Sequence, residues 1–400
     1  MKKVLVLLLA ILLVLGLAAC GSKTADDPKN DAPANSNSST PVADNAGSNA
    51  FKLGSIGPLT GDAAVYGQSV INGAKIAVDE INASNSAIKF EFKGEDDEAD
   101  GEKSGNAYNT LMDWGMQVLV GPTSTGASIT VSDLANADRT FMLTPSASST
   151  DVINGKDNVF QVCFTDPNQG VGSADYMAEN YAGAKVAVIY KNDDAYSQGI
   201  RDTFVKEAEV KGLEVVYEGT FTTATETDFS VQLTAAQAAG ADMVFLPIYY
   251  TPASVIFKQA NDMGYAPTFF GVDGMDGILT IQGFDTSLAE GVMLLTPFAA
   301  DATDKRTKNF VKAYEAAYGE TPTQFAADAY DGVYIVKAAL EAAGCTADMS
   351  SADICEAILD VFTTISVDGL TGQGMTWDAS GEVSKDPMAV VIKDGAYVTP

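Results

Sequence analysis

Histidine is absent from this 400-residue chain. Without imidazole there is no Ser-His-Asp triad, no Cys-His nucleophile pair and no His-ligated zinc. Basic residues are scarce, 24 Lys and Arg against 53 Asp and Glu, for a formal charge of −29. A surface of that sign repels phosphate backbones and anionic headgroups, so neither nucleic acid nor a bare lipid surface is an expected partner. The surplus acid serves solubility. Cysteine numbers only four. Apolar residues are not in short supply: at 46% they suffice for substantial cores, and the length allows two or three domains.

The N-terminus is the most decisive stretch. Lys2-Lys3 precede residues 4–15, all apolar, and the run closes on Leu17-Ala18-Ala19-Cys20. A basic start, an apolar core and small residues before a cysteine form a secretory signal of the bacterial lipoprotein type. Residues 1–19 are expected to be removed and Cys20 lipidated. The apolar run falls short of the roughly 20 residues a membrane span needs. The expected location is therefore extracytoplasmic, on the outer face of the bacterial cytoplasmic membrane, held by lipid alone. Residues 21–50 are rich in Ser, Asn, Asp, Ala and Pro and have no aromatic side chain before position 51. Such a segment cannot bury a core and reads as a tether of roughly 30 Å mean reach.

Cys345 and Cys355 flank a loop between two helical stretches, in a compartment that permits oxidation. A bridge there would stabilise by about 3 kcal/mol; two unpaired thiols are the other reading. Cys163 reads as a small core residue.

From Phe51 onward, short apolar runs alternate with amphipathic stretches. Strands are predicted over 51–56, 88–92, 117–120, 141–143 and 159–164, with helices over 67–82, 99–114 and 128–137 between them. Val70, Ala74, Ala77, Val78 and Ile81 show the helical spacing. A second series has strands at 185–190, 213–218, 242–246, 268–271 and 292–295, and helices at 198–211, 228–239 and 254–263. Helices at 304–318 and 326–343 and a β-rich tail around 375–377 and 388–392 follow. Strand–helix alternation implies α/β architecture: two doubly wound parallel-sheet lobes.

In open parallel sheets, ligands sit beyond the carboxyl ends of strands. The first strand ends in Gly57-Pro58-Leu59-Thr60-Gly61, with Tyr66-Gly67 opening the next helix. The third runs into Gly121-Pro122-Thr123-Ser124-Thr125-Gly126 and the fourth into Thr144-Pro145-Ser146-Ala147-Ser148-Ser149. These two hydroxyl-rich loops could offer backbone N–H groups and a helix dipole to an anion. Neither carries a Gly-Lys-Ser/Thr ending, which makes a small carboxylate a better guest than a nucleotide. Plain helix capping by Thr125 and Ser148 is the other reading. In the second series the strand ends carry Asp193-Asp194-Ala195-Tyr196, Ile248-Tyr249-Tyr250 and Gly271-Val272-Asp273-Gly274. The run Asp96 to Gly101 partly follows calcium-loop spacing, but its twelfth position is Ala107, so no metal is expected there.

The stretch from Leu53 to Asn82, with Gly57-Pro58-Leu59-Thr60-Gly61, Tyr66-Gly67, Gly73-Ala74 and Ala77-Val78-Asp79-Glu80-Ile81-Asn82, resembles the opening of the branched-chain amino-acid-binding proteins of ABC importers. The likeness continues through 121–128, 144–148, 196–199, 228–229 and 271–274. It implies the type I periplasmic-binding-protein fold with three crossover strands. The lobes would be 51–166 plus 297–371, and 167–296 plus 372–400, after the signal at 1–19 and the lipidated tether at 20–50.

The resemblance also implies roles. Thr125, Ser146 and Ser148 would meet a ligand carboxylate, and Asp273 the α-ammonium. Tyr66, Tyr196 and Tyr249 would wall the side-chain pocket, with Tyr250 able to take the place of Tyr249. Asp273 stands where leucine-specific relatives usually carry glutamate, and Ser146 replaces a smaller residue. The expected function is capture of a free branched-chain or other hydrophobic amino acid by a monomer. It would act with an ABC permease, without cofactor, metal or catalysis. A ligand-sensing module for a membrane receptor is the alternative. So is an extracellular enzyme using Asp193 and Asp194, or the acids of 95–100.

Overall fold

The computed structural model describes residues 49–385 and 387–399. The signal segment, Cys20 and all but the end of the tether lie outside the described residues. Among those described, no helix is long and apolar enough to cross a membrane.

The first half builds β1 (Phe51–Gly57), α1 (Ala64–Ala83), β2 (Phe90–Asp96), α2 (Gly101–Trp114), β3 (Val118–Val120), α3 (Thr125–Asp138), β4 (Phe141–Thr144) and β5 (Val159–Gln161). Its five strands form one parallel sheet in the order β2-β1-β3-β4-β5. Alternation sends side chains to two cores. Leu53, Val118, Val120, Phe141 and Phe160 pack on one face, Ile56, Leu119, Met142 and Val159 on the other. β2 begins later than the sequence suggests and continues through Glu95 and Asp96. It is an edge strand, so its acidic side chains can reach water without leaving the ladder.

The second half contributes α4 (Asp166–Asn180), β6 (Lys185–Lys191), α5 (Ala195–Lys211), β7 (Glu214–Phe221), α6 (Ser230–Ala238), β8 (Met243–Leu246), α7 (Tyr250–Asp262), β9 (Thr268–Gly271) and β10 (Met293–Thr296). It continues with α8 (Lys305–Tyr318), α9 (Gln324–Ala343), α10 (Ser351–Phe362), β11 (Met388–Lys393) and β12 (Ala396–Val398). The second sheet runs β12-β11-β10-β9-β8-β6-β7. It is not wholly parallel: β11 and β12 join antiparallel as a terminal hairpin, where a chain end needs no crossover helix. The expected strand around 375–377 is only two isolated bridges, Val367–Met375 and Trp377–Val383. Helix α4 had no counterpart among the predicted elements, because its sequence is polar and carries Pro and two Gly.

α1, α9 and α10 cover the first sheet on one side. α1 approaches α9 so closely that a methyl group on Gly73 would overlap the Ala326 carbonyl. α10 carries Cys355 into this core, and Cys345 is buried just after the end of α9. Both are free thiols, which corrects the bridged alternative: each is packed as a small apolar group.

Three segments pass between the sheets: 162–165, 297–304 and 363–385. The first and third are tied together by one side chain. The Lys385 ammonium donates to Asp328 Oδ1 of α9 (2.6 Å), Val162 O of the first crossing (3.0 Å) and Thr371 Oγ1 of the third (2.6 Å). The side chains of the ion pair are 0% and 3% exposed. Asp331, one turn further along α9, accepts from the Leu370 and Thr371 amides and the Thr371 hydroxyl. Removing one partner of a buried pair strands the other's charge. Lys385→Met is therefore expected to cost about 3–5 kcal/mol in urea unfolding, and Asp328→Asn added to it to recover much of the loss. An unchanged midpoint in the single variant would show that this pair does not hold the crossings.

Candidate functional site

The carboxyl ends of both sheets face one cleft. On the first sheet, Ser124 precedes α3 and Thr125 is its first residue, but the Ser124 side chain makes no capping hydrogen bond. Ser148 caps no helix; Ser149 caps the short turn that follows. The capping alternative for Thr125 and Ser148 therefore fails. The Ser146 hydroxyl donates to Thr123 O (2.7 Å), fastening the β3 and β4 loops to each other.

On the second sheet, Asp273 opens a short 3-10 turn beyond β9. Its Oδ1 accepts from the Tyr196 hydroxyl (2.6 Å) and the Gly274 amide (2.7 Å). Tyr196 is placed by α5, whose first turn is capped by Asp194. Tyr249 stacks on Tyr196 with ring centroids 4.7 Å apart and planes 9° from parallel. Tyr66 reaches over from α1. Its hydroxyl donates to Gly274 O (2.5 Å) and accepts from Tyr250 N (3.1 Å), and its ring meets Phe325 edge-on.

Tyr66, Thr125, Ser146, Tyr196, Tyr249 and Asp273 thus line a single gap, joined by Thr123, Ser124, Gly274 and Phe325. The gap measures about 20 Å³, on the order of one water. The two walls must part before a molecule of amino-acid size can enter. Ser148 is not among the lining residues: its hydroxyl lies beside the Asp166 carboxyl at the start of α4. Tyr250 turns away from the gap, its hydroxyl donating to Asp62 O (2.8 Å).

Burial sets the electrostatics. Desolvation raises the Asp273 carboxyl from 3.8 to about 7, against the lowering effect of its hydrogen bonds. The Tyr66, Tyr196 and Tyr249 hydroxyls are pushed well above their ordinary range by burial and remain neutral. Asp166, also buried, is raised well above the usual carboxylate range by desolvation. No Lys or Arg lines the gap. Outside it, Asp62, Glu98, Asp193, Asp194 and Glu226 surround the cleft mouth, with Lys191 paired to Glu226 at 3.0 Å.

Four of the acids weighed for catalysis accept hydrogen bonds from neighbouring loops and helix starts. Asp193 accepts from Thr223 N (3.0 Å) and Asp194 from Tyr196 N. Asp96 accepts from Leu59 N and the Thr60 hydroxyl, and Asp97 from Ala99 N and the Ser104 hydroxyl. Among the described residues no three His, Cys, Asp or Glu are grouped to hold a metal.

Sequence reasoning missed Phe325, Gln324, Gln169 and Asp166. Gln169 Oε1 accepts from Asp273 N (3.2 Å), and Gln324 Nε2 donates to Asp273 O (2.8 Å). All four lie in the first turns of α4, which follows the loop leaving the first sheet, and of α9, which follows the loop after α8. Asp166-Pro167 at a helix start was the legible signal.

This fold and cleft define a two-lobe solute-binding protein, and the chain belongs to the periplasmic binding protein family, whose profile matches residues 50–396. It is 32% identical over 314 residues to a Leu/Ile/Val-binding protein homolog of Brucella melitensis, covering 77% of this chain and 83% of the relative. A branched-chain amino-acid transporter substrate-binding protein of Streptococcus pneumoniae, solved with isoleucine, superposes with a TM-score of 0.78 at 28% identity, over 88% of this chain and all of that one. A leucine-binding protein of Thermotoga maritima gives 0.78 at 25%, covering 88% and 97%.

Because the folded-state value of Asp273 lies above that of an exposed carboxyl, the folded protein holds this proton more tightly. The stability it confers is complete below about pH 4 and is lost as pH rises through about 7. Asp273→Asn removes the buried charge. Its unfolding free energy from urea titration is expected to exceed wild type at pH 8 by up to about 4 kcal/mol and to show no gain at pH 4. Equal stability at pH 8 would mean that ionised Asp273 is not penalised by burial.

Proposed function

We propose that this protein captures a free amino acid, branched-chain or otherwise hydrophobic, between its lobes and delivers it to an ABC permease without chemical turnover. The observation that carries the reading is a buried acid, Asp273, with no cationic side chain in the gap, set opposite hydroxyl-bearing loops between aromatic walls. A zwitterion needs that pairing, since a buried charge without a partner is strongly unfavourable. Thr125 and Ser146, with the β3 and β4 loop backbones, meet the carboxylate. Asp273 meets the ammonium and exchanges the Tyr196 hydroxyl and Gly274 amide for a cation. Tyr66, Tyr196, Tyr249 and Phe325 enclose the side chain. Ser148 acts from behind, through Asp166.

The lobes in this reading are 51–166 plus 297–371 and 167–296 plus 372–400. The chain works as a monomer outside the cytoplasmic membrane, lipidated at Cys20 after removal of 1–19. The lipobox Leu17-Ala18-Ala19-Cys20 and the polar stretch that follows support that anchoring. Ligand contacts on both lobes give the amino acid its differential affinity for the closed form, which is what shifts the population.

Calorimetric titration with leucine, isoleucine, valine and benzoate tests the proposal. Saturable binding of a branched-chain amino acid is expected, weakened at least about 100-fold in Asp273→Asn. Wild-type affinity should fall as pH drops below about 7, where Asp273 takes up a proton in competition with the ammonium; the Asn variant should lose that dependence. Binding of benzoate but of no amino acid would overturn the reading.

A further inference from the structure

A larger cavity, about 390 Å³, lies behind the Asp273 turn and away from the cleft. One wall is the terminal hairpin and its neighbour, through Leu294, Val390 and Tyr397. The other is α8 and the loop into α9, through Val311, Glu315 and Thr323. It is therefore bounded by parts of the chain on both sides of the second crossing, which itself contributes Phe298.

Most of the lining is apolar. Hydroxyls and carboxylates are present, and no Lys or Arg is among the lining residues. Asp276 sits at the inner end, 5% exposed, with Oδ2 accepting from Gln324 N (2.8 Å). Thr323, at the same end, is 7% exposed and its hydroxyl has no hydrogen-bond partner. A buried hydroxyl without a partner is costly and rare in a packed protein. Thr323 lines a space large enough for an occupant of several carbons, as does Asp276. Glu315 and Asp301 add negative charge towards the outside.

We propose that this cavity is a second binding site, distinct from the cleft, for a small aliphatic ammonium whose head lies between Asp276 and Thr323 and whose tail packs on Leu279, Leu294, Phe298 and Val311. An ammonium donates three hydrogen bonds and accepts none, matching a carboxylate and a hydroxyl in their acceptor roles. A carboxylate ligand would face Asp276, Asp301 and Glu315 with no Lys or Arg among the lining residues to offset them. Gln324 joins the two sites, bonding to Asp276 through its amide and to Asp273 O through its side chain.

The probe is 3-methylbutylammonium chloride, titrated calorimetrically into the full chain carrying Asp273→Asn, in which the cleft lacks its charge for an ammonium. One saturable site is expected, with 3-methylbutanoate giving none. Thr323→Val and Asp276→Asn, each added to Asp273→Asn, should weaken the amine at least tenfold. Ala300→Trp, which fills the cavity from its outer side, should abolish binding and serves if Asp276→Asn does not fold. Absence of saturable binding to Asp273→Asn would overturn the proposal. So would retention of full affinity in Thr323→Val and Ala300→Trp, or equal binding of 3-methylbutanoate. None of these results depends on whether the cleft takes an amino acid, which wild-type titrations decide separately.

Discussion

Much of this molecule hangs on one ammonium group. Lys385 is sealed from water where two of the three crossings meet α9, and it spends all three of its donors there, on Asp328, Val162 and Thr371. A point charge on a flexible stem suits that place better than a planar guanidinium, because its donors can follow three acceptors on different segments. The neighbouring carboxylate of Asp331 organises the 370–371 backbone in the same way. Three segments join the two lobes, and Lys385 holds the first and third of them to the same helix. The joints are pinned by polar bonds at the waist, while each lobe keeps its own apolar cores on either face of its sheet.

The cleft uses the opposite arrangement. Its acid has no internal cation and is held by neutral donors, a tyrosine hydroxyl and a backbone amide. Tyrosine fits because its ring contributes apolar area to a wall while its hydroxyl can release one partner and accept another. Tyr66 shows this in both directions, donating across to Gly274 and accepting from Tyr250 with the same oxygen. The acidic mouth complements such a site, favouring approach by the ammonium end of a zwitterion and disfavouring anions.

Much of this was legible before any coordinates. Apolar runs such as 141–143 and 268–271 mark strands because parallel strands are buried on both faces. The loops after them were searchable because α/β sheets present ligand sites at strand ends. That rule marked the loops, the family resemblance picked Thr125, Ser146, Tyr196, Tyr249 and Asp273 within them, and the structure brings these five, with Tyr66, to one gap. It could not reach Phe325 and Gln324, which enter from the start of a helix that follows no strand directly. Ser148 shows a second limit: sequence order puts it two residues from Ser146, but the chain's turn after β4 directs it to Asp166. Helix α4 was missed because its stability comes from packing against α5, which its polar, glycine-containing sequence does not advertise.

Trp377 gives this design a built-in optical probe. The chain has only two tryptophans. Trp114 lies under the Lys52 ammonium at the far end of α2, whereas Trp377 is buried in the third crossing, its indole N–H bonded to Gln161 O at 2.8 Å and its ring against Phe362. An indole fixed at a joint changes its surroundings when the joint bends, although it touches nothing in the cleft. Intrinsic emission therefore offers a label-free view of the waist, separable from Trp114 by a single substitution there.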